Sequence, residues 1–95
     1  MITLADHVRL HPGVVDTALD NKETVLLHLD SKLYYSLNHS GSLIWEGIKQ
    51  GLTLKEISER LQKDFTLEPE HANRSVLELV QDLCDQRLVC EVEPS

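Results

Sequence analysis

The sequence predicts an α+β domain, a winged helix-turn-helix in which an N-terminal three-stranded antiparallel sheet is followed by three helices. Two observations carry this prediction. Apolar residues recur with a period of two over residues 14–37 and with a period of three to four over residues 40–87. The links between the alternating segments are also short, and because parallel strands need long crossovers, the strands are expected to form a meander.

The sheet is expected to contain three strands, at residues 14–19, 23–30 and 33–37. In the second strand the alternation assigns one group of apolar residues to a single face, which we take as the apolar face, and leaves Leu26 as an exception. This group comprises Val25, Leu27 and Leu29.

The first two predicted helices are marked by capping residues. Asn38 and Ser40 are good cap residues for the start of a helix that ends near Gly51. Thr53, followed three residues later by Glu56, is a capping box and predicts the start of the second helix. The short link between these helices has the spacing of a helix-turn-helix.

The third helix is expected to begin at Pro69 and to end near Arg87. Its predicted core residues are Val76, Leu79, Val80 and Leu83. A short terminal strand is expected from Leu88, Val89 and Val92. The domain is therefore predicted to span residues 14–92, between an N-terminal segment at 1–13 and a frayed tail at 93–95.

The charge of the chain argues against several classes of partner. Nine Lys and Arg residues stand against sixteen Asp and Glu residues, so the formal net charge is −7. Phosphate binding and anionic membrane surfaces both require clustered cationic groups, so neither nucleic acid nor membrane is expected. The third predicted helix, which would read DNA, carries five carboxylates against two arginines over residues 68–87. A winged-helix transcriptional regulator is therefore kept only as the alternative function.

No residue pattern indicates catalysis, a metal or a cofactor. His7 and His11 have a helical spacing but lie beside Pro12 and Gly13, where no helix is expected, and the remaining histidines are scattered. Cys84 and Cys90 are too few for a disulfide framework, which indicates a cytoplasmic chain and leaves their pairing open. The chain is expected to be a binding protein without a cofactor, not an enzyme.

A peptide-binding groove is one reading of the predicted fold. An edge strand at residues 33–37 would leave backbone donors and acceptors free to take an extended peptide as an added strand. Leu77, Gln81 and Cys84 share one face of the third helix, which would form the other wall. The alternative is that the N-terminal segment covers this edge and that the helix face is core.

The order of these residues resembles the PqqD family over about residues 14–90. The matching positions are residues 25–30 and 34–38, then Gly41, Ile44, Trp45, Gly51, Thr53, Glu56, Ile57, Leu61, Phe65, Pro69, Glu70, Val76, Val80, Leu83, Leu88 and Val89. Members of this family are accessory proteins of pyrroloquinoline quinone (PQQ) biosynthesis and stand-alone recognition elements for ribosomally made, post-translationally modified peptides. Many relatives have Gly where Lys32 and Ser36 stand in this sequence.

The resemblance implies a non-catalytic peptide chaperone. It would bind the leader segment of a precursor peptide as an added strand and present it to a modifying enzyme such as a radical S-adenosylmethionine protein, or to a leader peptidase or cyclase. The implied contact residues on the strand are Leu33, Tyr34, Tyr35, Ser36 and Leu37, and those on the helix are Asn73, Leu77, Val80, Gln81 and Cys84. A monomer or a weak homodimer is expected, since a free edge strand can pair with a second copy.

Overall fold

The computed structural model describes residues 3–6 and 8–91. Within them, an antiparallel sheet precedes three helices, and a second, two-stranded sheet joins the two ends of the chain. The elements are β1 (Val8–Leu10), β2 (Val14–Ala18), β3 (Thr24–His28), β4 (Tyr34–Leu37), α1 (His39–Lys49), α2 (Leu54–Phe65), α3 (Pro69–Asp85) and β5 (Val89–Glu91). The predicted fold class, with its three-stranded sheet and three helices, is confirmed.

The three-stranded sheet is a meander with the strand order β2-β3-β4. In the central strand, Leu26 lies opposite Asp16 on β2 and Tyr35 on β4. In the described part of the chain β4 pairs with β3 alone, so its other side is a free edge.

The apolar face expected for the second strand turns out to be the outer face of the sheet. Thr24, Leu26 and His28 of β3 are buried toward the helices, and Leu26 has no exposed surface. Leu29, on the opposite face, is 44% exposed. The two polar residues are tolerated inside because they lie at the ends of the strand, where the His28 Nδ1 accepts a hydrogen bond from the Ser31 backbone at 3.4 Å.

The first two helices begin at capping residues named from the sequence, and of the two candidates for α1 it is Asn38 that caps the helix. The Asn38 side chain accepts a hydrogen bond from the Gly41 backbone N–H at 2.9 Å, at the start of α1. At the start of α2 the Thr53 hydroxyl accepts from the Glu56 N–H at 3.2 Å, and the Glu56 carboxylate accepts from the Thr53 N–H at 2.9 Å. The capping box is therefore formed on both sides.

The N-terminal segment contains a strand that the sequence did not indicate. β1 pairs antiparallel with β5, and Leu10 lies opposite Val89. The alternative to a groove required the N-terminal segment to cover the edge of β4. β1 does not do so, because it pairs with β5. Three features expected from the sequence, at His7, Val92 and the tail 93–95, lie outside the described residues.

The core lies between the inner face of the sheet and the three helices. Its largest fully buried side chain is Trp45 of α1, whose indole N–H donates to the Asp16 carboxylate at 2.7 Å. Val76, Val80 and Leu83 line the inner side of α3 as predicted, whereas Leu79 is only half-buried. Among the described residues no helix is long and apolar enough to cross a membrane.

Candidate peptide-binding groove

The free edge of β4 presents the backbone groups of two residues. The His28 N–H donates to the Leu33 carbonyl at 3.0 Å across the β3–β4 hairpin. Hydrogen-bonded and non-hydrogen-bonded pairs alternate along antiparallel strands, so Tyr35 bonds to β3, while Tyr34 and Ser36 direct their N–H and C=O groups outward. These outward groups are the ones that an added strand would use.

A groove of about 940 Å³ runs between β4 and α3. One wall is formed by β4 and the start of α1, and the other by the exposed side of α3. The residues that line it are Glu23, Tyr35, Ser36, Leu37, Asn38, Ser40, Gly41, Ile44, Ser75, Leu77, Glu78, Leu79, Gln81, Asp82 and Asp85.

A side-chain hydrogen bond links the two elements that form the groove. The Tyr35 hydroxyl donates to the Asp82 carboxylate of α3. Burial of the phenol, together with the hydrogen bond and negative charge of Asp82, raises the pKa of Tyr35 to about 12. Tyr35 therefore stays protonated at neutral pH, and its hydroxyl links β4 to α3.

The strand and the helix run in opposite directions along the groove. Tyr35 meets Asp82, whereas Leu33, earlier on the strand, lines a second cavity of about 510 Å³ with Asp85 and Arg87 at the end of α3. Successive residues of β4 thus approach progressively earlier residues of α3. A strand added to the edge of β4 would lie alongside the same face of α3.

Half of the contact residues implied by the resemblance line this groove. They are Tyr35, Ser36, Leu37, Leu77 and Gln81. Leu33 is 58% exposed and lies in the adjoining cavity, and Tyr34 is 72% exposed, its side chain directed to the outer face by the strand alternation.

The other three implied residues lie elsewhere on α3. Val80 has no exposed surface and belongs to the core. Asn73 accepts a hydrogen bond from the hydroxyl of Ser58, so it faces α2. Cys84 is half-buried and packs against the core. The resemblance implies that all three lie on the groove wall, but α3 is oriented so that Val80 points into the core and Asn73 toward α2.

Several groove residues were not indicated by the sequence analysis, chiefly the carboxylates of α3. Glu78, Asp82 and Asp85 follow an i, i+4, i+7 spacing and form a single row. That spacing is visible in the sequence, but it does not show which neighbouring element the row faces. The row lies next to Leu77 and Gln81 on the helix, and this neighbourhood is the signal that could have assigned the carboxylates to the groove.

The histidines do not form a metal centre in the part of the chain that the structure describes, where no group of three or more metal-ligating side chains converges. The rings of His11 and His28 stack with centroids 4.6 Å apart. The Nδ1 atom of His11 accepts from the Gly13 backbone at 3.0 Å, and that of His28 accepts from Ser31. Both rings thus fix turns of the backbone.

Comparison with known protein families matches residues 23–89 to the family described as coenzyme PQQ synthesis protein D (PqqD). The chain belongs to the PqqD family. The match runs from the end of the β2–β3 turn to β5 and so contains both walls of the groove. Comparison with curated protein sequences found no match.

Two solved structures are similar to this PqqD-family chain. One is TbiB1 in complex with the TbiA(beta) leader peptide, at 26% identity and a TM-score of 0.80, covering 85% of this chain and 93% of that one. The other is lasso peptide synthetase B1 complexed with the leader peptide, at 25% identity and a TM-score of 0.80, covering 87% of this chain and 96% of that one. Both were therefore solved with a leader peptide bound.

Proposed function

We propose that this PqqD-family chain binds the leader segment of a ribosomally made precursor peptide as an additional strand on β4. In this role the chain contributes binding, and a separate enzyme contributes the chemistry. The chain holds the leader between β4 and α3 and presents the precursor to a separate modifying enzyme or leader peptidase.

The free edge of β4 beside the groove is the observation that carries this proposal. Strand addition needs an unpaired row of N–H and C=O groups, and Tyr34 and Ser36 provide two of each. It also needs space beside the edge for alternate side chains, and the groove of about 940 Å³ provides that space. The leader peptides in the two similar structures support the same class of ligand.

Binding of duplex DNA through α3 is not favoured. The exposed side of this helix carries Glu78, Asp82 and Asp85, which would repel phosphate groups. The winged-helix arrangement is therefore used for a different ligand.

The test removes one edge donor without touching the pairing between β3 and β4. Ser36→Pro eliminates an N–H that points away from β3, and proline is tolerated at edge positions of this kind. The probe is the leader of the precursor peptide encoded beside the gene of this chain. We expect the variant to keep its fold by circular dichroism and to lose at least about tenfold in affinity, measured by calorimetry.

Ala18→Pro is the matched control, because it removes an outward-facing donor from the opposite edge strand, β2. Leu19 N–H donates to the Glu23 carbonyl at 2.7 Å, so by alternation the Ala18 N–H points away from β3. This control should bind the leader as the unaltered chain does. Equal binding by Ser36→Pro, or leader-dependent amide shifts confined to residues outside β4 and α3, would refute the proposal.

A further inference from the structure

The helix wall of the groove is acidic. Glu78, Asp82 and Asp85 project from α3 and Glu23 adds a fourth carboxylate, whereas no Lys or Arg side chain of the described residues lines the groove. In the described part of the chain, the ion pairs join Lys49 to Asp16 and to Glu46. The groove carboxylates are therefore not neutralised by a cation of the described chain.

The hydrogen bonds of these carboxylates involve neutral donors. Asp82 accepts from the Tyr35 hydroxyl, and Asp85 accepts from the Gln81 amide at 3.1 Å. Such bonds orient the carboxylates but leave their negative charge in place. A cationic side chain entering the groove would find oriented acceptors, and its binding would relieve the repulsion between neighbouring carboxylates.

The spacing of the row matches the repeat of an extended peptide. At 1.5 Å per residue, Glu78 and Asp82 are about 6 Å apart along the axis of α3, and Glu78 and Asp85 about 10 Å. Side chains on one face of a strand recur every 6.8 Å or so. Because α3 runs alongside β4, two successive helix-facing residues of an added strand would lie beside this row.

Resting on the proposed leader-binding function, we propose that the groove selects leaders with Lys or Arg at two helix-facing positions, i and i+2, of the added strand. Glu78 accepts from one of the two cationic side chains, and Asp82 and Asp85 accept from the other. Residues of the leader that face away from α3 carry no charge preference.

The test is a substitution scan of the leader encoded beside the gene of this chain. Each residue is replaced in turn by Lys, Gln and Glu, and the dissociation constants are measured at low salt. We expect Lys to bind better than Gln, and Gln better than Glu, by about threefold to fivefold per step at alternate positions only. The preference should weaken in 0.5 M NaCl because salt screens exposed charges.

Variants of the chain identify the acceptors. Glu78→Gln combined with Asp85→Asn should remove most of the Lys-over-Glu preference, and Glu78→Lys combined with Asp85→Lys should invert it. Glu59→Gln combined with Asp64→Asn is the matched control, because both residues are exposed on α2 and outside the groove, and it should retain the preference.

The outcomes separate the two proposals. Leader binding that Ser36→Pro abolishes, with Glu tolerated as well as Lys at every position, would overturn the charge selection and leave the leader-binding function standing. A Lys preference that survives in the Glu78 and Asp85 double variant would also overturn it. Failure of every leader variant to bind would overturn the leader-binding function and the charge selection with it.

Discussion

Adjacent tyrosines in β4 have different roles because a strand alternates its side chains between two faces. Tyr34 points to the outer face of the sheet and is largely exposed, while its backbone faces the free edge. Tyr35 points toward α3 and bonds to Asp82, while its backbone belongs to the pairing with β3. The family resemblance implies that both lie on the same wall, because a resemblance gives positions and does not give the direction of each side chain.

Because Tyr35 bonds to Asp82, the fold should lose stability as the pH rises into the alkaline range. Burial and Asp82 raise the pKa of Tyr35 from 10.0 to about 12 in the folded chain. A group whose pKa is raised on folding contributes stability that is fully present below its unfolded pKa and is lost as the pH rises through the folded value. The free energy of unfolding should therefore fall between pH 10 and about 12.

Absorbance titration of tyrosinate measures this shift directly. Tyr34→Phe leaves Tyr35 as the only tyrosine, and its ionisation should show a midpoint near 12 in the folded chain. Tyr35→Phe should cost about 1 kcal/mol at neutral pH, measured by urea unfolding, since it removes one hydrogen bond to a carboxylate. If the Tyr34→Phe variant titrated with the midpoint of an ordinary tyrosine while folded, the hydrogen bond between Tyr35 and Asp82 would be contradicted.

The starts of the helices were easier to predict from the sequence than the buried face of the central strand. The capping box at Thr53 and the proline at position 69 placed α2 and α3 correctly, because these signals act within one turn of helix. The face of β3 was not predictable in the same way. Its apolar residues are nearly continuous, so the alternation does not decide which face meets the helices, and the packing of Leu26 decides it.

The groove illustrates the same limit for a helix. The edge of β4 and the positions Leu77 and Gln81, which share one side of α3, are predictable from the sequence. Asn73 and Val80, which the resemblance also implies, are rotated toward α2 and the core. A helical period identifies residues that lie side by side, but the angle of the helix about its axis is fixed by tertiary packing.

Close packing of α1 on α2 gives a prediction at the level of these elements. A Cβ atom built on Gly47 would lie 2.6 Å from Cγ1 of Ile57, which is fully buried. Gly47→Ala must therefore push the helices apart, and we expect a loss of about 1–3 kcal/mol in the free energy of unfolding. Urea unfolding followed by Trp45 fluorescence measures this loss.

A double-mutant cycle with Ile57→Ala tests whether the clash is the cause. Ile57→Ala alone should also destabilise the chain, because it leaves a cavity. In the Ile57→Ala background, Gly47→Ala should lower the free energy of unfolding much less, since the Ile57 side-chain atoms that the new Cβ would contact have been removed. Additive losses would show that Gly47→Ala acts through something other than this contact.

At the level of the whole molecule, the N-terminal segment completes the helical half of the fold. Four backbone N–H groups at the start of a helix lack partners within it. In α2 the Leu54 N–H donates to the Asp6 carbonyl at 2.9 Å, and the Lys55 N–H donates to the Leu4 carbonyl at 2.8 Å. The other two belong to the capping box, in which the Thr53 hydroxyl accepts from the Glu56 N–H and the Glu56 carboxylate accepts from the Thr53 N–H. The contact of this segment with α2 could not be predicted from the sequence, because the bonds use backbone atoms that every residue type has.

Deleting residues 1–6 should therefore weaken the fold without weakening the groove. Loss of two backbone acceptors is expected to cost about 1–3 kcal/mol in urea unfolding. Hydrogen exchange should speed up most at the Leu54 and Lys55 amides, which lose their acceptors. Leader affinity should stay within about twofold, because residues 3–6 do not line the groove between β4 and α3. A shortened chain that stays folded yet loses leader binding would mean that the N-terminal segment, and not only the edge of β4, holds the peptide.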